Sequence, residues 1–107
     1  MDFSHKFSEL IEKRMTYECD IDYENNSVIK NMVQLLTQNI DRTILFLDEE
    51  SSEEQMIWLS EIMDDAAEDA KSKDFIEACY RLAKHYPETA EKYNIMAFID
   101  SAAEYVE

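Results

Sequence analysis

No glycine occurs anywhere in the 107 residues, where average usage predicts roughly seven. Glycine reaches positive φ without a steric penalty, and it therefore supplies most tight hairpins, bulges and phosphate-binding loops. A chain without it favours long elements joined by short turns that ordinary residues can make. Proline is also scarce, with only Pro87 present. The apolar residues recur at helical spacing through most of the chain. The predicted fold class is therefore all-α, a compact bundle of five or six helices in consecutive antiparallel hairpins. At this length one domain, residues 1–107, can bury a core of its own.

Phe3, Phe7, Leu10 and Ile11 predict a first helix over about residues 3–17, with Glu9 and Lys13 as a favourable i,i+4 pair. The segment 18–26 alternates acid with apolar residues like a strand. A lone strand has no partner to pair with, so it reads as a linker. A second stripe, Val28, Ile29, Met32, Val33, Leu36, Ile40, Ile44 and Leu47, keeps one phase. It fits one long helix, or two with a break near residue 39, where Thr37, Gln38, Asn39 and Asp41 are weak helix formers and good caps. A long central helix follows over 51–71. Either Ser51 with Glu54 or Ser52 with Gln55 can form a capping box at its start. Its core face is Met56, Leu59, Ile62, Met63, Ala66 and Ala70. Ser72 caps the next helix, whose face is Phe75, Ile76, Cys79, Leu82, Ala83 and Tyr86. The pair formed by 51–71 and 72–86 has some of the character of a helical-repeat solenoid, without a repeated motif. Pro87 closes that helix or opens the next. Ala90, Ile95, Phe98, Ile99, Ala102 and Val106 predict a final helix to the end.

The charge is strongly one-sided. Twenty-five acids face ten lysines and arginines, for a formal net of −15, while 46% of residues are apolar. That apolar share separates the chain from disordered acidic tails. The acidity disfavours nucleic acid and anionic membranes and favours a basic protein partner. It is also uneven: residues 48–77 carry twelve acids and two lysines, a local net of −10.

The familiar reactive motifs are missing. Asp20-Ile21-Asp22-Tyr23-Glu24 starts like a calcium loop, but the loop's sixth position holds Asn25 and its twelfth Asn31, not glycine and glutamate. His85 and His5 match no Glu-x-x-His pair, Cys19 and Cys79 match no metal or redox spacing, and the absence of glycine rules out phosphate-cradling loops. No metal, cofactor or catalytic residue is expected. The paired acids Asp64 and Asp65 read as a solvated helix face in preference to an acid–base pair. Two thiols and an N-terminus without the apolar run of a signal peptide predict a cytoplasmic setting. The longest aliphatic or aromatic runs, 44–47 and 95–99, are far too short to span a bilayer.

What remains is the acidic side of the central helix. Like charges at i,i+3 and i,i+4 cost a few tenths of a kcal/mol per pair. Glu61, Asp64, Asp65, Glu68 and Asp69 accumulate several such pairs, and no lysine or arginine lies between Ser51 and Ala70. Either this is a plain solvated surface or the field is used against a basic partner. Trp58, at the margin, is an interface anchor or a core aromatic on the helix flank. The expected contact surface is Ile57, Trp58, Glu61, Asp64, Asp65, Glu68 and Asp69. A second candidate patch is Glu18, Asp20, Asp22, Tyr23 and Glu24.

The segments Tyr17-Glu18-Cys19-Asp20-Ile21-Asp22-Tyr23-Glu24-Asn25-Asn26 and Glu54-Gln55-Met56-Ile57-Trp58-Leu59-Ser60-Glu61, with the small, glycine-free, acidic, helical character of the whole, resemble the immunity proteins of bacterial polymorphic toxin systems. Contact-dependent growth inhibition is the best-known example. The resemblance implies a cytoplasmic antitoxin that binds one toxin domain, often a nuclease, and covers its active site or substrate cleft. Two other classes stay open: an adaptor or regulatory interaction module of helical-repeat type, and an enzyme whose site is assembled only in the fold.

Overall fold

A computed structural model describes the backbone of residues 2–16 and 22–106 and the side chains of 2–14 and 27–106. The described residues form α1 (Phe3–Thr16), α2 (Asp22–Thr37), α3 (Ile40–Leu45), a π-helical turn (Phe46–Glu50), α4 (Glu53–Ala70), α5 (Lys73–His85), α6 (Pro87–Lys92), α7 (Ile95–Ala103) and a 3₁₀ turn (Glu104–Val106). The class is all-α, with seven α-helices where five or six were expected. The extents, 33 × 28 × 28 Å, are nearly equal, as in a compact bundle and unlike an extended superhelix.

The extra helices come from breaks at identifiable residues. The expected linker is helical from Asp22 onward, and only residues 18–21 of it lie outside the described part. Acids at positions 22 and 24 sit in the first turn of α2, where they complement the helix dipole and outweigh the strand-like alternation. The stripe over 28–47 is divided at Gln38 and Asn39. Asn39 caps α3 by accepting the Arg42 N–H at 3.2 Å. The fully buried Thr43 hydroxyl lies 2.6 Å from the Leu36 carbonyl and 3.1 Å from that of Asn39, so it spans the break. The break also shifts the buried face. Ile40 and Ile44 end half-buried, while Phe46, off the expected stripe, is fully buried. A wide turn follows it, closed by Ser51 N–H to the Phe46 carbonyl at 2.8 Å. The Phe46 ring packs against Phe3 and Phe7 at centroid distances of 4.8 and 5.7 Å.

The expected final helix is likewise two. Pro87 opens α6 at its first turn, where its missing N–H costs nothing. The chain turns again at Asn94, which takes the left-handed conformation at φ 56°. Phe98 was expected in the core and is 43% exposed. The five apolar residues 95–99 encircle α7, and the bundle covers only the side carrying Ile95, Ile99 and Ala102.

α4 is the hub. It touches α1, α2, α5, α6, α7 and the 3₁₀ turn, and it buries Met56, Leu59, Ile62, Met63, Ala66 and Ala67. Ser52 and Gln55 form its capping box, the second of the two expected pairs. Gln55 does more than cap. Its Oε1 accepts the Ser52 N–H at 2.8 Å. Its Nε2 donates towards the Ser4 carbonyl, Ser4 Oγ and Ser8 Oγ at 3.2, 3.1 and 2.9 Å. At the other end Lys71 takes the left-handed conformation at φ 48°, and Ser72 then caps α5 by accepting the Phe75 N–H. α5 folds back along α4, and Tyr86 Oη donates to the Ser51 carbonyl at 3.1 Å.

Two predictions follow from these joints. Lys71 pays a left-handed penalty of about 1–2 kcal/mol, which glycine would relieve at an entropic cost of about 0.5–1 kcal/mol. Lys71→Gly should therefore raise stability by up to roughly 1 kcal/mol in urea unfolding; a lower midpoint at unchanged slope would contradict this account of the turn. Gln55→Glu offers the opposite test. Glutamate is a standard capping-box residue, so the cap alone predicts no loss. The buried amide donor to α1 disappears, however, and a carboxylate would face the Ser4 carbonyl. The expected destabilisation at neutral pH is about 1–3 kcal/mol, measured by urea unfolding. A variant as stable as the parent would mean that the α1–α4 tie contributes little.

Candidate functional site

The acidic face of α4 occupies the strip that the surrounding helices leave open. On one flank α4 meets α2. Asp65, Glu68 and Asp69 line a hollow of about 520 Å³ there with Ile29, Lys30, Val33, Gln34 and Thr37 of α2. On the other flank α4 meets α7, where Ser101 Oγ lies 3.4 Å from Asp64 Oδ2.

This arrangement separates the expected contact residues into three groups. Glu61, Asp65, Glu68 and Asp69 are exposed. Ile57 and Trp58 are half-buried and pack against the core, so each presents only part of its surface. Asp64 is half-buried as well, and not on the open solvent face expected of it. Its Oδ1 is shielded from solvent without a hydrogen-bond donor, because α7 lies against it. In the second expected patch, Glu18 and Asp20 lie outside the described residues. Asp22, Tyr23 and Glu24 fall in the opening turn of α2, with side chains outside the described set.

The carboxylates of α4 form no ion pair among the described residues. Among the described residues the ion pairs are His5–Glu9, Arg42–Glu50 and Arg81–Asp48. None involves α4. The contrast with the preceding turn is sharp. Asp48 receives both Nε and Nη2 of Arg81 at 2.9 and 3.1 Å, and Glu50 receives Arg42 at 2.9 Å. Lys30 borders the same hollow as Asp65, Glu68 and Asp69 without forming an ion pair to any of them.

The groups usually associated with catalysis lie apart. Cys79 is 1% exposed, and burial pushes its thiol far above the usual range; the Arg81 charge pulls the other way and is outweighed. Such a thiol is not an activated nucleophile. His5 and His85 are both exposed, the latter edge-on to Tyr86 at 4.9 Å. Among the described residues no three of His, Cys, Asp and Glu are grouped as a metal set, and no helix is long and apolar enough to cross a membrane.

Phe98 and Tyr105, like Tyr93, are exposed aromatics of the C-terminal end that the apolar pattern does not mark as surface features. The available signal was the unbroken apolar run 95–99, which is too wide for one buried face of a helix. No protein-family model, no curated protein and no solved structure matches the chain.

The state of Cys79 is directly testable. Alkylation followed by peptide mapping should leave it unmodified in the native protein and label it in proportion to the unfolded fraction as denaturant is added. Native labelling at the rate of a free thiol would show that α5 is not packed as described.

Proposed function

We propose that the chain is a non-catalytic acidic binding protein that acts in the cytoplasm and neutralises a cognate bacterial toxin domain, a basic nuclease, by covering its active site or substrate cleft. The observation that carries this reading is the open strip of α4. Four exposed carboxylates, Glu61, Asp65, Glu68 and Asp69, stand along it, and among the described residues none of them forms an ion pair. Asp48 and Glu50, just before α4, have arginine partners. An unpaired carboxylate row on a rigid helix presents negative charge at helical intervals, and a cleft built to hold a phosphate backbone has the complementary field. The toxin identity comes from the resemblance to immunity proteins, and the electrostatics agree with it.

The test is co-expression with the protein encoded immediately upstream, scored by growth rescue and co-purification. Rescue with no complex formed would overturn the neutralisation mechanism. Association should be steered, approaching roughly 10⁸–10⁹ M⁻¹s⁻¹ at low salt and slowing steeply as salt screens the field. Asp65→Lys, Glu68→Lys and Asp69→Lys, combined, should weaken that salt dependence and slow association at an unchanged thermal midpoint. These three are preferable to Asp64, whose substitution would also disturb the packing of α7. Stopped-flow rates indifferent to salt in the parent protein would remove the basic-partner reading.

A further inference from the structure

We propose that the seam between α4 and α7 is the docking face for a basic segment of the partner that carries apolar side chains, with Phe98 and Tyr105 as its anchors. This rests on the reading of the chain as an acidic binding protein and specifies the surface it uses.

The register of the two helices places these residues together. α5 ends beside the start of α4, through the Tyr86–Ser51 hydrogen bond, and α6 turns the chain at that end. α7 then returns beside α5, with Tyr80 Oη donating to Asp100, and therefore runs in the same direction as α4. The Ser101–Asp64 contact fixes the register between them. Phe98 lies one turn before Ser101 and is level with Glu61, one turn before Asp64. Tyr105 lies one turn after Ser101 and is level with Glu68. Phe98 and Ser101 lie on one side of α7, and Tyr105 follows on the 3₁₀ turn, which also touches α4; Glu61, Asp64 and Glu68 succeed one another at helical steps along α4, with Glu68 also bordering the hollow towards α2.

Two rails result. One carries aromatics exposed by 43% and 44%, and the other carries carboxylates at matching heights. A single exposed aromatic on a monomer is ordinary. Two of them, two turns apart and parallel to an unneutralised acid row, match a ligand that alternates apolar and cationic groups. Charge complementarity selects that occupant. A second copy of this chain would bring another formal charge of −15 and lay acid against acid. An anionic membrane surface is repelled by the same field. A basic amphipathic segment satisfies both rails: its lysines or arginines meet Glu61 and Glu68, and its apolar side chains cover Phe98 and Tyr105.

The experiment uses the full chain and two synthetic peptides in titration calorimetry at near-physiological salt. One peptide carries leucine and lysine at helical spacing, and the other is an oligolysine of equal charge. The parent protein should bind the amphipathic peptide at least about tenfold more tightly than oligolysine. The double variant Phe98→Ser, Tyr105→Ser should lose that margin while keeping the thermal midpoint. Glu61→Lys with Glu68→Lys should weaken both peptides. If the Phe98/Tyr105 variant binds the amphipathic peptide as tightly as the parent, or the parent binds both peptides equally, the seam is not the anchor site, and the basic-partner reading stands without it. Failure of the parent to bind either peptide overturns both.

Discussion

The side chain of Gln55 joins parts of the chain about fifty positions apart. Its oxygen closes the first turn of α4, and its nitrogen reaches Ser4 and Ser8 on α1. A primary amide has two N–H groups, and three acceptors lie within reach, so at least one bond is shared. At 5% exposure none of these partners is readily replaced by water. An ordinary capping box stabilises one helix end and leaves the helix free to pack anywhere. This one also sets where α1 lies on α4, and α1 in turn places Phe3 and Phe7 against Phe46. Local capping and long-range packing thus depend on the same amide.

The hub position of α4 also accounts for part of its charge pattern. A helix with α2 on one flank and α7 on the other has one narrow strip left for its polar residues. Any solvated α4 would crowd its charges there. Crowding alone does not dictate their sign. Arginine pairs with acids immediately outside this strip, at Arg42–Glu50 and Arg81–Asp48, and α4 itself carries no lysine or arginine. The like-charge cost accepted on α4, a few tenths of a kcal/mol per pair, is thus a separate property of the sequence. It is the property on which the functional reading rests.

Local chemistry made much of the fold legible. Ser52, Asn39 and Ser72 cap where their side chains predict, and Pro87 opens a helix, one of its two expected roles. Three features depended on tertiary context. At 22–26 the alternation of acids and apolar residues suggested an extended linker, but acids near a helix start stabilise that helix, and the segment had no sheet to join. At Phe46 the phase of the apolar stripe failed because Thr43 and Asn39 reset it one turn earlier. At Phe98 an apolar residue in helical register was assigned to the core, although α7 has only one covered side. The acidic strip was legible as composition. The flanks that narrow it were not: the withdrawal of Asp64 under α7 follows from a pairing of helices that no local pattern encodes.

The lack of glycine links these observations to binding. With no flexible residue at the joints, the turns on either side of α4 are made by Ser51-Ser52 and Lys71-Ser72, each fixed by a capping hydroxyl. Among the described residues the left-handed positions fall to Lys71 and Asn94, whose side chains restrict the backbone more than glycine would. The carboxylates of α4 and Phe98 on α7 are therefore carried on regular helices with short connections. Association loses free energy whenever a surface must be ordered as it binds. Here the backbone spacing of the charges is set before any partner arrives, and only side-chain rotamers remain to be fixed. Aspartate at 65 and 69 has fewer rotamers to lose than glutamate. A row built this way favours a partner whose cationic groups already have matching spacing over one that is merely basic.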